Sequence, residues 1–174
     1  MSFPRDLSAL TKLFRELGAT EPDQWARSQI DEGIPQLARY LFLRQAWRSV
    51  VREDDSRWID GAISRAASHP DEPYAGAGLA LASLRAKGAT NEELTELVRS
   101  MQAGLLFDLC YLLEDPGDVE DSVSDIAWAL VQIEDDGTIL DPIRGLHESV
   151  LEMDPTGREV RPRRADGTSI PGGG

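Results

Sequence analysis

The chain has 174 residues, 41% of them hydrophobic and 28% charged, with a net charge of −13 and a mean hydropathy of −0.34. A chain of this size buries about 70% of the surface its unfolded form exposes, so it can build a core without disulfides or metal, and the composition argues against a disordered chain. The acid excess repels phosphate backbones, which argues against a nucleic-acid partner and favours a basic protein.

The amino terminus, Met1-Ser2-Phe3-Pro4-Arg5-Asp6, lacks the apolar core of a signal peptide. No apolar run reaches the ~20 residues needed to span a bilayer, so no membrane partner is expected and the expected address is the cytoplasm. The single cysteine, Cys110, lies between Leu109 and Tyr111 and reads as a small buried hydrophobe.

In chain order, Leu7, Leu10, Leu13, Phe14 and Leu17 recur at helical spacing, with Pro4 suited to a first turn and Gly18 to a left-handed stop. Thr20 then caps a second helix carrying Trp25, Ala26 and Ile30, which stops at Gly33. Pro35 opens a third, running to about Arg52. Asp54 or Asp55 caps a fourth, with Trp58, Ile59, Ala62, Ile63 and Ala66 inward, and the prolines of 68–73 make a loop. A fifth helix covers about Tyr74 to Lys87 and ends at Gly88. Its Gly76-Ala77-Gly78 lacks the strand and the spacing of a dinucleotide-binding turn and suits close helix packing instead.

Thr90-Asn91-Glu92-Glu93 is a capping box for the longest helix, predicted to about Glu114. A seventh helix is predicted over about Asp118 to Glu134, burying Val119, Val123, Ile126, Ala127, Leu130 and Ile133. Asp141-Pro142 would cap a short eighth through Leu146, Val150 and Leu151. In the region of 131–140, Asp136-Gly137 between Val131/Ile133 and Ile139/Leu140 also fits a small hairpin. The expected fold is all-α: a single helical domain over 1–157, a bundle of about seven or eight helices. A basic tail over 158–174 reads as disordered. From Arg158 onward the chain carries +2, leaving −15 for the rest.

Three groups of residues are candidate sites. On the third helix Arg44 and Arg48 share an arc with Leu37, Tyr40, Leu41 and Val51, while Asp108 falls inside the Leu94, Leu97, Val98, Met101, Leu105 and Leu112 stripe of the sixth. Buried charges need partners, so Asp108 is expected to pair with one of the arginines across the core, or the arginines to line an anion pocket. Trp128, placed near Asp121 and Asp125, suits an interface with a basic protein. Third, Glu92-Glu93-Leu94-Thr95-Glu96 has the oxygen ligands of a Mg²⁺ site. This acidic run resembles the first acidic element of all-α nucleotide pyrophosphohydrolases of the MazG type. That resemblance implies a second Glu-x-x-Asp element, for which Asp118-Val119-Glu120-Asp121 is the nearest substitute. It covers about five residues, while first-turn acids facing a helix dipole account for Glu92 and Glu93 without metal.

The two histidines, His69 and His147, fit no zinc or catalytic spacing, and no nucleophile elbow is present. The expected function is therefore a non-enzymatic cytoplasmic binding protein that meets a basic protein through acidic helical faces and needs no cofactor. A bacterial immunity protein against a basic toxin is one such case. The alternative is a small Mg²⁺-dependent nucleotide hydrolase using Glu92, Glu93, Glu96 and Asp121.

Overall fold

A computed structural model describes residues 6–115, 121–123 and 125–162. The described residues form seven α-helices: α1 (Leu7–Leu17), α2 (Pro22–Asp31), α3 (Gln36–Ala46), α4 (Arg57–Ser68), α5 (Ala75–Ala86), α6 (Asn91–Leu112) and α7 (Leu146–Val150). One antiparallel hairpin joins β1 (Val131–Ile133) to β2 (Ile139–Pro142). No helix among the described residues is long and apolar enough to cross a membrane. The chain divides into two compact units, Met1–Ala46 with Phe107–Gly174, and Trp47–Leu106.

In the first unit, the Asp6 carboxylate accepts from the Ala9 N–H at 2.9 Å and starts α1. Gly18, at φ +89°, ends it in the left-handed conformation that a side chain would strain. α1 packs on α2, α2 on α3, and α3 on α7. Their shared core joins Leu10, Phe14, Trp25, Ala26, Leu37 and Tyr40. Tyr40 meets the Phe14 and Trp25 rings edge-on, at centroid distances of 5.5 and 5.4 Å.

In the second unit α4 packs on α5, and Ile59, Leu81 and Leu94 form the core. A β-carbon at Gly78 would lie 2.6 Å from the Ala66 Cβ and nearer still to the Ala62 carbonyl oxygen. Here the small residues of α5 let two backbones approach, the role their composition suggests. The capping box forms as expected. Thr90 N–H donates to Glu93 Oε2 at 2.8 Å, and Glu93 N–H donates to Thr90 Oγ1 at 3.2 Å.

Two expectations change. The helix expected over about 118–134 does not form in its described part, which has a 3-10 turn at Asp121–Val123, irregular chain and then β1. Residues 121–125 read Asp-Ser-Val-Ser-Asp, and such side chains compete for backbone hydrogen bonds in a helix. The hairpin alternative holds. Gly137, at φ +87°, donates to the Glu134 carbonyl at 2.9 Å, and Thr138 N–H to Asp136 Oδ1 at 2.9 Å. At the C-terminal end, described structure runs past the expected boundary of the tail. Arg158 is buried, and Asp154 accepts from the N–H of Thr156 and of Val160. The tail beyond residue 162 lies outside the described residues, as does Pro4.

Candidate functional site

Residues 107–157 contain 14 acidic residues and one basic residue, Arg144, so this segment alone carries a net −13. Within it the hairpin pairs Ile133 with Ile139, which puts both side chains on one face. Ile133 is 58% exposed and Ile139 is 68% exposed. Ile126, Trp128 and Leu140 are exposed nearby in sequence, as are Asp125, Glu134, Asp135, Asp136 and Asp141. Trp128 is held in place, since its indole N–H donates to the Leu112 carbonyl at 2.6 Å. Among the described residues neither strand has a second neighbour. The segment thus exposes apolar side chains interspersed with acids.

A second feature lies in the same unit. Arg39 of α3 is only 8% exposed, and its guanidinium carbon sits 5.9 Å from the centroid of the Trp25 ring. Its Nη2 donates to Ser149 Oγ at 2.7 Å and to the Gly145 carbonyl, while Glu148 Oε2 stands 3.7 Å away. Burial pulls the guanidinium below its ordinary pKa, against the opposing pull of Glu148, Glu114 and Glu152. Two open clefts meet at this side chain. One, of about 520 Å³, is lined by Arg39, Arg144, Gly145, Glu114, Asp141 and Glu148 among others. The other, of about 650 Å³, includes Trp25, Arg27, Ser28, Glu32, Gln36 and Glu152 in its lining.

Glu114, just past the end of α6, holds the far wall. Its carboxylate accepts from the N–H groups of Gly145, Leu146 and His147, starting α7 in place of the expected Asp141. Its Oε1 also stands 3.4 Å from His147 Nδ1. Nearby Cys110 is fully buried, as its apolar neighbours suggest. Burial and the Glu114 charge push its thiol up to about 11.

The predicted buried cluster is not buried. Arg44, Arg48 and Asp108 are all exposed. α3 turns Gln36, Leu37, Arg39, Tyr40 and Leu43 inward, one step out of phase with the expected arc. α6 buries Leu94, Thr95, Arg99, Ala103, Leu106 and Cys110 and leaves Leu97, Met101, Leu105 and Leu112 out with Asp108. A buried arginine on the third helix is present, but it is Arg39. The acid nearest in role is Glu114.

Of the interface candidates, Trp128 and Asp125 are exposed, and the side chain of Asp121 lies outside the described residues. Of the metal candidates, Glu92 is exposed in the first turn of α6, and the Glu93 carboxylate is engaged by Thr90. This bonding holds the Glu93 carboxyl below the usual range. Glu96 is half-buried one turn on, and no three His, Cys, Asp or Glu among the described residues gather as metal ligands. Comparison with protein-family models, with curated proteins and with solved structures found no match to this chain.

Proposed function

We propose that this chain is a non-enzymatic cytoplasmic binding protein that engages a basic protein partner through the acidic, apolar-centred surface of the β1–β2 hairpin. The observation that carries the reading is the exposed cross-strand pair Ile133/Ile139, set in a segment with one basic residue. An exposed apolar pair is costly in water and gains when a partner covers it. The surrounding acids speed encounter with a basic surface and disfavour acidic competitors. Trp128, exposed three residues before β1 and fixed by its bond to Leu112, is a further anchor for such a partner. A protein that neutralises a basic toxin is one concrete case of this class.

The test is affinity capture from the native cytoplasm with the wild-type chain, Ile139→Asp, and the pair Glu134→Gln/Asp135→Asn. Far-UV circular dichroism verifies that each variant is folded. The wild type is expected to retain a basic protein at about 50 mM salt and release it near 500 mM, where screening is several-fold shorter in range. Ile139→Asp is expected to abolish capture, and the charge pair to weaken it. Equal retention by Ile139→Asp would remove the hairpin from the interface.

A further inference from the structure

Gln36 and Arg39 lie one turn apart on α3, and both line the 650 Å³ cleft of the first unit. Both are more than nine-tenths buried. Each carries an atom whose bonding capacity is unmet among the described residues: Arg39 Nε donates to nothing, and Gln36 Oε1 accepts from nothing. One further polar atom on each side chain is committed elsewhere. Gln36 Nε2 donates to Ser28 Oγ at 2.8 Å, and Arg39 Nη2 is held by Ser149 and Gly145. Native interiors rarely leave a buried donor and a buried acceptor both unpaired at one place. The nearest carboxylate, on Glu148, is too distant at 3.7 Å to accept a hydrogen bond and is itself exposed.

The two vacancies have opposite polarity. A ligand must bring an acceptor to the arginine and a donor to the glutamine. The charges round the cleft narrow the choice further, because Asp23, Glu32 and Glu152 line it together with Arg27 and Arg39. A simple anion meets three carboxylates, and a simple cation adds positive charge beside two arginines. A molecule bearing both charges answers both.

We propose that this cleft binds a small zwitterion of the free amino-acid class, its carboxylate on the Arg39 guanidinium and its ammonium group on Gln36 Oε1 between Glu32 and Glu152. Charge-assisted bonds then satisfy two orphaned atoms, and Trp25 contributes apolar surface to the lining. Both orphan atoms are shut off from bulk water, so binding opens the lining: the Gln36 amide turns outward from Ser28 into the cleft, and Arg39 Nε is uncovered with it. The site does not depend on the hairpin, and Ile139→Asp leaves it unchanged.

The experiment is a thermal-shift screen of the full chain against each of the twenty L-amino acids, followed by calorimetry on any that stabilise it. At least one is expected to bind saturably. Its N-acetyl derivative, which lacks the ammonium charge, and its amide, which lacks the carboxylate, are each expected to bind at least about tenfold more weakly. Arg39→Met is expected to abolish binding. Glu152→Gln, an exposed substitution at the rim that spares the core, is expected to weaken it about threefold or more, and it decides the matter if Arg39→Met fails to fold. The proposal is overturned if no amino acid binds at about 10 mM, which corresponds to under 3 kcal/mol of affinity. It is equally overturned if the N-acetyl derivative matches its parent, or if Glu152→Gln binds as the wild type does.

Discussion

Each unit buries an arginine against a tryptophan. Arg39 lies over Trp25 in the first unit, and Arg99 lies 5.2 Å from the Trp47 centroid in the second. Their surroundings set them apart. Arg99 Nη1 donates to the Val51 carbonyl at 3.0 Å, and Gln102, three residues along α6, accepts from the Val51 N–H at 2.8 Å. One helix thus holds both polar groups of a single residue just past the 3-10 turn at Trp47–Ser49, and the guanidinium acts as a strut. Arg39 also ties elements together, through Gly145 and Ser149, but it lines two clefts, whereas Arg99 lines neither of them. A buried guanidinium away from both clefts is architecture, and one that lines both is where the ligand proposal can be tested.

The largest effect that tests this contrast is on Arg99. Replacing it with alanine removes a charge-assisted bond, the stem packing and the stacking on Trp47, and is expected to cost about 3 kcal/mol in urea unfolding. A loss below about 1 kcal/mol would end its reading as a strut. Arg39→Met is expected to stay within about 1 kcal/mol of the wild type, because an apolar side chain of similar length removes a desolvated charge along with its bonds. A cost as large as that of Arg99→Ala would make the two arginines equivalent.

The smallest effect concerns pH. Burial, with help from Glu21 and against Arg39, holds the Glu152 carboxyl above its ordinary value. An acid whose folded pKa is raised contributes stability that is fully present below its unfolded pKa and is lost as pH rises through the folded one. Glu152→Gln is therefore expected to be more stable than the wild type at pH 7 and no different below about pH 4. A stability gap that persists in acid would trace it to packing instead of charge.

Much of the helix plan is legible in the residues, because its signals are local. Gly18 stops α1, Thr90 and Glu93 start α6, and the Asp136-Gly137 pair turns the hairpin. The phase of α3 is not legible. Apolar residues surround that helix, so the arc holding Arg44 and Arg48 and the arc holding Arg39 offer similar hydrophobic content, and the neighbours that fold over it decide between them. α6 misleads in a different way. Its bulkiest stripe, Leu97, Met101 and Leu105, stays exposed, while Thr95, Arg99 and Ala103 turn inward. Size and hydropathy alone select the wrong face, and Asp108 is then misplaced with it. No spacing rule connects Glu114 to the start of a helix 32 residues away, so the wall of the Arg39 clefts comes from tertiary structure alone.

Cys110 gives the first unit a reporter of its own. A chain with a single thiol, fully enclosed and held in its protonated form to about pH 11, presents nothing for a disulfide reagent to attack while the surrounding helices stay closed. Any labelling must wait for that unit to breathe. Its rate is then a clock for local opening, built into the sequence and readable without an added probe. A molecule seated beside Arg39 that stabilises this unit would slow it.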